Sequence, residues 1–147
     1  MHGLCPDPEA QQMALDAVEG SLELGWDSEE HGGGILYMMD IEGRPMVDAT
    51  VTSNGKLWWP HCEALVALTL AFLRTGDQKW VSWLTKVHDY CFAHFSDGNG
   101  WYGYLNRDGS RLLDCKGGNY KGFFHVPRAL LMCVQAVDAA DAGKSRL

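Results

Sequence analysis

From Ala10 the small and apolar residues return at helical spacing, and Ala10, Met13, Ala14, Ala17, Val18, Ser21 and Leu22 fall on one face. Ahead of them Asp7-Pro8-Glu9 supplies an N-cap and a proline at the first helical position, and Gly25 is a natural stop. Between Gly32 and Asp48 the helical period is lost. A glycine triplet, the run Ile35 to Asp40, a turn at Glu42-Gly43 and a short return segment predict a β-hairpin. Pro60 then opens a second helix, apolar from Ala64 to Leu73 apart from Thr69. Such a pattern predicts burial on nearly every side and so an inner element. Thr75-Gly76-Asp77 ends it. A third helix with Trp80, Leu84, Val87 and Cys91 at helical spacing runs to about Phe95; it is amphipathic and reads as an outer element.

The scheme then repeats. Gly98, Gly100, Asn106, Gly109 and Asp114 stand 66 residues after Gly32, Gly34, Asp40, Gly43 and Asp48. Lys56-Leu57-Trp58-Trp59-Pro60-His61 has a counterpart in Lys121-Gly122-Phe123-Phe124-His125-Val126-Pro127, which opens a further helix. A period of one helix pair plus one hairpin marks a repeat architecture in which each unit buries its apolar face on its neighbours. Two units do not close a ring. The expected architecture is therefore all-α with short β-hairpins between helices, a single partial domain over residues 1–147.

Composition narrows the partners. A formal charge of −7 and the lack of any Lys/Arg run exclude a nucleic-acid binder. The longest apolar stretch is about half of the ~20 residues that span a bilayer, so no membrane segment is expected. Met1 to Pro6 has neither the basic flank nor the apolar run of a secretory signal. Cys5, Cys62, Cys91, Cys115 and Cys133 are odd in number and contain no C-x-x-C pair, which argues against a disulfide framework and for a reduced, cytoplasmic setting. No two His or Cys residues show the H-x-x-x-H or C-x-x-C separation, and no metal is expected.

Both proline-led helices begin where a glycine-rich hairpin delivers aromatics and a histidine, so His61 and His125 are expected at one mouth. Trp58, Trp59, Phe123, Phe124, Trp101, Tyr102 and Tyr104 are suited to supply flat apolar faces, with Glu63, Lys116, Lys121 and Arg128 adding charge. Aromatic walls with a few convergent polar groups suit a sugar. Each of these residue types has a plainer reading, aromatics as core and His125 as a buried histidine bonded to a backbone carbonyl. A Cys62 nucleophile beside His61 is disfavoured because adjacent helical residues diverge by about 100°.

Gly25-Trp26-Asp27, Lys56 to Ala64 with its WWPHCEA core, Gly103-Tyr104-Leu105-Asn106-Arg107-Asp108-Gly109, Lys116-Gly117-Gly118 and Phe124-His125-Val126-Pro127-Arg128 resemble the N-acylglucosamine 2-epimerase family, also called renin-binding proteins. The resemblance runs from about Ala10 to Met132 and implies the C-terminal part of an (α/α)6 barrel. It further implies a cytoplasmic homodimer that interconverts N-acetylglucosamine and N-acetylmannosamine. No cofactor is required, ATP is an effector, and a renin-like protein is a partner. By motif position His125 is similar to an acid/base histidine of that family and Glu63 to its active-site carboxylate. Trp58, Trp59, His61 and Arg128 are similar to residues around the sugar.

Epimerisation at C2 removes a proton from one face and returns it on the other, and an imidazole of ordinary pKa ~6.5 serves either step. Arg128 is placed to offset charge on the carbonyl oxygen. The family's other catalytic histidine and an essential arginine belong to helices that would precede Ala10, so the chain is expected to hold half of the mechanism. It would then act together with a longer chain or a second copy, or serve as an inactive protein-binding or regulatory module. A glycoside hydrolase on the same toroid would need a second carboxylate facing Glu63, for which Asp48 and Asp114 are the candidates.

Overall fold

The structure is a computed structural model and describes residues 7–46 and 54–144. Helix α1 (Pro8–Gly25) starts where Asp7 Oδ1 accepts from the backbone N–H groups of Glu9 and Ala10, at 3.0 and 3.2 Å. These are donors that a helix start otherwise leaves unpaired. The side of α1 that meets the core carries Leu15, Val18 and Leu22, whereas Met13 is exposed. The core therefore lies one position round from the stripe that the small residues suggested.

Helix α2 (Trp58–Thr75) begins two residues before Pro60, which sits in the first turn where its missing N–H costs nothing. Gly76, in the left-handed conformation at φ 70°, ends it. Helix α3 (Gln78–Tyr90), capped by Asp77, continues as a π-helical turn over Cys91–Phe95, and helix α4 (His125–Lys144) closes the described chain. α2 packs between α3 and α4. It is not covered all round: Leu70 and Leu73 are exposed, as are Leu131, Val134 and Val137 of α4.

The internal repeat is real in three dimensions. Bridge Met39–Pro45 in the first hairpin has its equivalent in Leu105–Arg111 of the second. The turn bond from Gly43 N–H to the Asp40 carbonyl is matched by Gly109 N–H to Asn106. The two strands long enough to name, β1 (Lys56–Leu57) and β2 (Tyr104–Leu105), pair antiparallel across the two units, Lys56 with Leu105 and Leu57 with Tyr104. Pairing between units, in addition to the turn within each, fixes one hairpin against the other.

A buried ionic knot completes that junction. Arg107, from the second hairpin, grips Asp27 with two bonds of 2.9 and 2.8 Å, and Lys56 Nζ stands 3.3 Å from the same carboxylate. Lys56 also donates to the carbonyls of His31 and Arg107. Burial pushes the Asp27 carboxyl up, and Arg107 and Lys56 more than offset it, holding it below its ordinary value. Gly34, at φ 85°, passes so close beneath the Tyr90 ring that a Cβ there would lie 2.4 Å from it. Around these points Trp80, Phe95, Leu68, Leu105, Val87 and Cys62 form the most deeply buried core. No helix among the described residues is long and apolar enough to cross a membrane.

Candidate active site

Pro60 and Pro127 occupy the same place, third in their helices, so helix register pairs His125 with Trp58 and Arg128 with His61. His125 and Arg128 lie three residues apart on one face of α4 and look toward Glu63 on α2. His125 Nδ1 is 2.8 Å from Glu63 Oε1, and Arg128 Nη2 holds both oxygens of the same carboxylate. Burial pushes the Glu63 carboxyl up, and the hydrogen bonds from Arg128 and His125 more than offset it, so it stays ionised below the usual range. An ionised carboxylate only accepts, so the hydrogen of the neutral imidazole resides on Nδ1 and Nε2 keeps its lone pair.

His125 lines an open cavity of about 950 Å³ whose other walls include Tyr37, Trp58, Trp59, Tyr104 and the segment from Gly117 to Tyr120. The imidazole lies 5.9 Å from the Trp59 ring and 6.3 Å from Trp58. Glu63 and Arg128 stand behind His125 and are not part of the lining, so within the described residues they act on the imidazole from outside the cavity. The nearby cations are engaged: Lys116 by Asp97, Lys121 by the Lys116 carbonyl, and Arg128 by Glu63. Among the described residues no group of three or more His, Cys, Asp or Glu side chains converges as a metal site.

His61 does not join the cavity. It is fully buried, accepts the Ile35 N–H at Nε2 (2.9 Å), donates from Nδ1 to the Leu57 carbonyl (2.7 Å) and stacks on Tyr90. Burial pushes its pKa down to about 3, so it is a neutral pin between α2 and the first hairpin, a correction to its expected place beside the sugar. The two histidines look alike in sequence because each stands close to a proline, but His61 directly follows Pro60 whereas His125 lies two residues before Pro127, which puts them at different helix positions. Cys62 is buried, its thiol pushed up to about 12 chiefly by burial, and cannot serve as a nucleophile at neutral pH.

Trp101 stacks in the core on Phe95, and Phe123 is 91% exposed, so neither forms a wall. Asp114 is exposed and does not line the cavity, although its neighbours Leu113 and Cys115 do, and Asp48 lies outside the described residues. Tyr37, Met38, Asn119 and Tyr120 were not singled out in the sequence, and Gly117-Gly118 stood there only as part of a motif. The repeat carried a signal for one of them, since Met38 stands 66 residues before Tyr104.

The N-acylglucosamine 2-epimerase (GlcNAc 2-epimerase) family model matches residues 6–129. The chain belongs to that family. It is 42% identical over 117 residues to N-acylglucosamine 2-epimerase of Mus musculus, a match covering 78% of this chain and 27% of the mouse protein. In fold it is similar to D-mannose isomerase, with a TM-score of 0.66 and 20% identity over 77% of this chain and 27% of that one. Cellobiose 2-epimerase from Spirochaeta thermophila DSM 6192 superposes with a TM-score of 0.60 and 22% identity, over 86% of this chain and 29% of the other. The fold is a portion of an α/α barrel. The chain spans about a quarter to a third of the length of the curated relatives it matches. In this family member Trp58, Trp59 and His125 line the cavity, Glu63 and Arg128 pair with each other outside its lining, and His61 is buried.

Proposed function

We propose that the chain carries one face of a site that exchanges the C2 proton of a 2-acylamido sugar, in the interconversion of N-acetylglucosamine and N-acetylmannosamine. The observation that carries this is His125 on the open wall of an aromatic cavity, its Nδ1 fixed by Glu63 so that Nε2 is the free base. With the sugar ring opened to its aldehyde, Nε2 takes the C2 proton. The C–H electron pair moves into the C1–C2 bond and the carbonyl pair onto O1, giving an enolate. Reprotonation by the imidazolium on the same face restores the starting sugar; inversion needs a donor on the opposite face. Family membership and the pairing of Glu63 with two basic groups, in place of a second carboxylate, favour proton exchange over glycoside hydrolysis.

The opposite face is then supplied by further units of the barrel. An apolar groove of about 480 Å³ between α3 and α4, lined by Leu84, Leu130, Val134 and Val137, supports this.

The test is to incubate the chain with N-acetylmannosamine in deuterated water and follow C2 by NMR. Deuterium should enter at C2 with little N-acetylglucosamine formed, and His125→Ala should abolish the exchange. Exchange that persists in His125→Ala, or no exchange by the wild-type chain, would count against the reading.

A further inference from the structure

We propose that Tyr37 and Tyr104, one from each repeat unit, are positioning residues that hold the hydroxyl groups of a neutral sugar over His125. This rests on the proton-exchange reading of the cavity.

Each tyrosine is set by a tryptophan. Tyr37 stands edge-on to Trp59, ring centroids 6.2 Å apart at 83°, and Tyr104 edge-on to Trp58, 5.3 Å apart at 64°. Trp58 and Trp59 are consecutive at the start of α2, so they point about 100° apart, and both rings lie near His125. Each phenol thus stands beside a tryptophan that itself borders the imidazole, in one cavity lining. Their backbones are fixed as well: Tyr37 N–H donates to the Gly55 carbonyl at 3.0 Å, and Tyr104 pairs with Leu57 in the sheet.

Among the described residues the hydroxyls of Tyr37 and Tyr104 have no protein partner, whereas Tyr102 spends its own on Asp97. Both side chains are half-buried and line the cavity. A polar group held by packing, with no partner among the described residues, is arranged to receive one from solvent or ligand. Burial also pushes the Tyr104 phenol above its ordinary pKa, so it remains an O–H that can both donate and accept. That dual capacity matches a sugar hydroxyl. An anionic ligand would call for a cation, and no Lys or Arg is among the residues lining the cavity.

The experiment replaces each tyrosine by phenylalanine, which keeps the stacking and deletes the hydroxyl. Binding of N-acetylmannosamine is measured by calorimetry, together with analogues lacking one hydroxyl at a time. Tyr37→Phe and Tyr104→Phe should each weaken the parent sugar about five- to tenfold, the worth of a neutral hydrogen bond. Each should lose that difference against one particular deoxy analogue, while the thermal midpoint stays put. Variants that bind the parent sugar like wild type, or that lose affinity equally for every analogue, overturn the proposal alone. A wild-type chain that binds no sugar overturns it together with the proton-exchange reading.

Discussion

The Glu63 carboxylate lies 2.8 Å from Nδ1 of His125 on the neighbouring helix, and Arg128 holds the same carboxylate from its other side. Glu63→Gln keeps the shape but presents an amide that can donate as well as accept, so the imidazole loses the contact that selects its tautomer. C2 exchange should fall by about 100-fold, within the usual contribution of an oriented acid/base group. Loss of less than a few-fold in the NMR assay would mean that the contact does not orient the base.

His61 predicts a pH dependence of stability. Its folded pKa, about 3, lies below the ordinary value, because burial favours the neutral form and outweighs the bond to the Leu57 carbonyl, which pulls the other way, while Nε2 must stay unprotonated to accept the Ile35 N–H. A depressed pKa gives stability that is complete above the unfolded value of ~6.5 and is lost as pH falls from there toward the folded value. The contribution of this one group should decline by about 1.4 kcal/mol per pH unit through that window. Urea midpoints at pH 7.5, 6.0 and 5.0 give the slope. His61→Gln should be less stable at pH 7.5 and show a shallower acid slope; equal slopes would remove His61 as the cause.

The ends of the helices and both hairpins were legible because glycines and prolines mark them and recur at one spacing; Gly43 and Gly109 occupy equivalent turns. The β1–β2 pairing was not, since strands of two residues carry no period. At the site, Glu63 and His125 were visible from their motifs, but their contact was not, because α2 and α4 meet only in three dimensions. His61 was misplaced for a physical reason: one residue of helix register turns a side chain by about 100°, and a string of letters does not show the turn. The exposed Leu70 and Leu73 departed from expectation because an apolar helix shows that a cover is wanted, not that one is present.

Removing Asp27 should destabilise more than removing Arg107. With Asp27→Asn, Lys56 is left fully buried without its carboxylate, and breaking a buried pair in this way costs ~3–5 kcal/mol. Arg107→Ala leaves Asp27 its Lys56 partner, and Arg107 itself is one-third exposed, so the cost should be about 1–2 kcal/mol. Chemical denaturation of the two variants checks the order. Equal losses would show that Arg107, and not Lys56, is the principal counter-charge.

Gly34→Ala combines two penalties, a left-handed backbone and a methyl placed 2.4 Å from the Tyr90 ring. Backbone strain of ~1–2 kcal/mol and overpacking of ~1–3 kcal/mol should together lower stability by about 2–5 kcal/mol. Because Tyr90 stacks on both His61 and His94, the disturbance should also reach the hairpin junction. Gly76→Ala serves as the control: its φ of 70° carries the same backbone strain, but nothing lies within 4 Å of the added methyl. A loss for Gly34→Ala no larger than for Gly76→Ala would rule out the close approach to Tyr90 as the reason for glycine.

Thiol labelling should report the cavity. Among the four described cysteines Cys62 and Cys91 are buried, with their thiols pushed up by burial, whereas Cys115 is exposed and lines the cavity wall. Alkylation of the native chain followed by peptide mass spectrometry should therefore modify Cys115 well before Cys62 or Cys91, since the thiolate at an open position is the reacting form. N-acetylmannosamine should slow labelling of Cys115 and leave Cys133, on α4 away from this cavity, unchanged. Protection of both thiols together would indicate general tightening of the chain, and protection of neither would place the sugar outside this cavity.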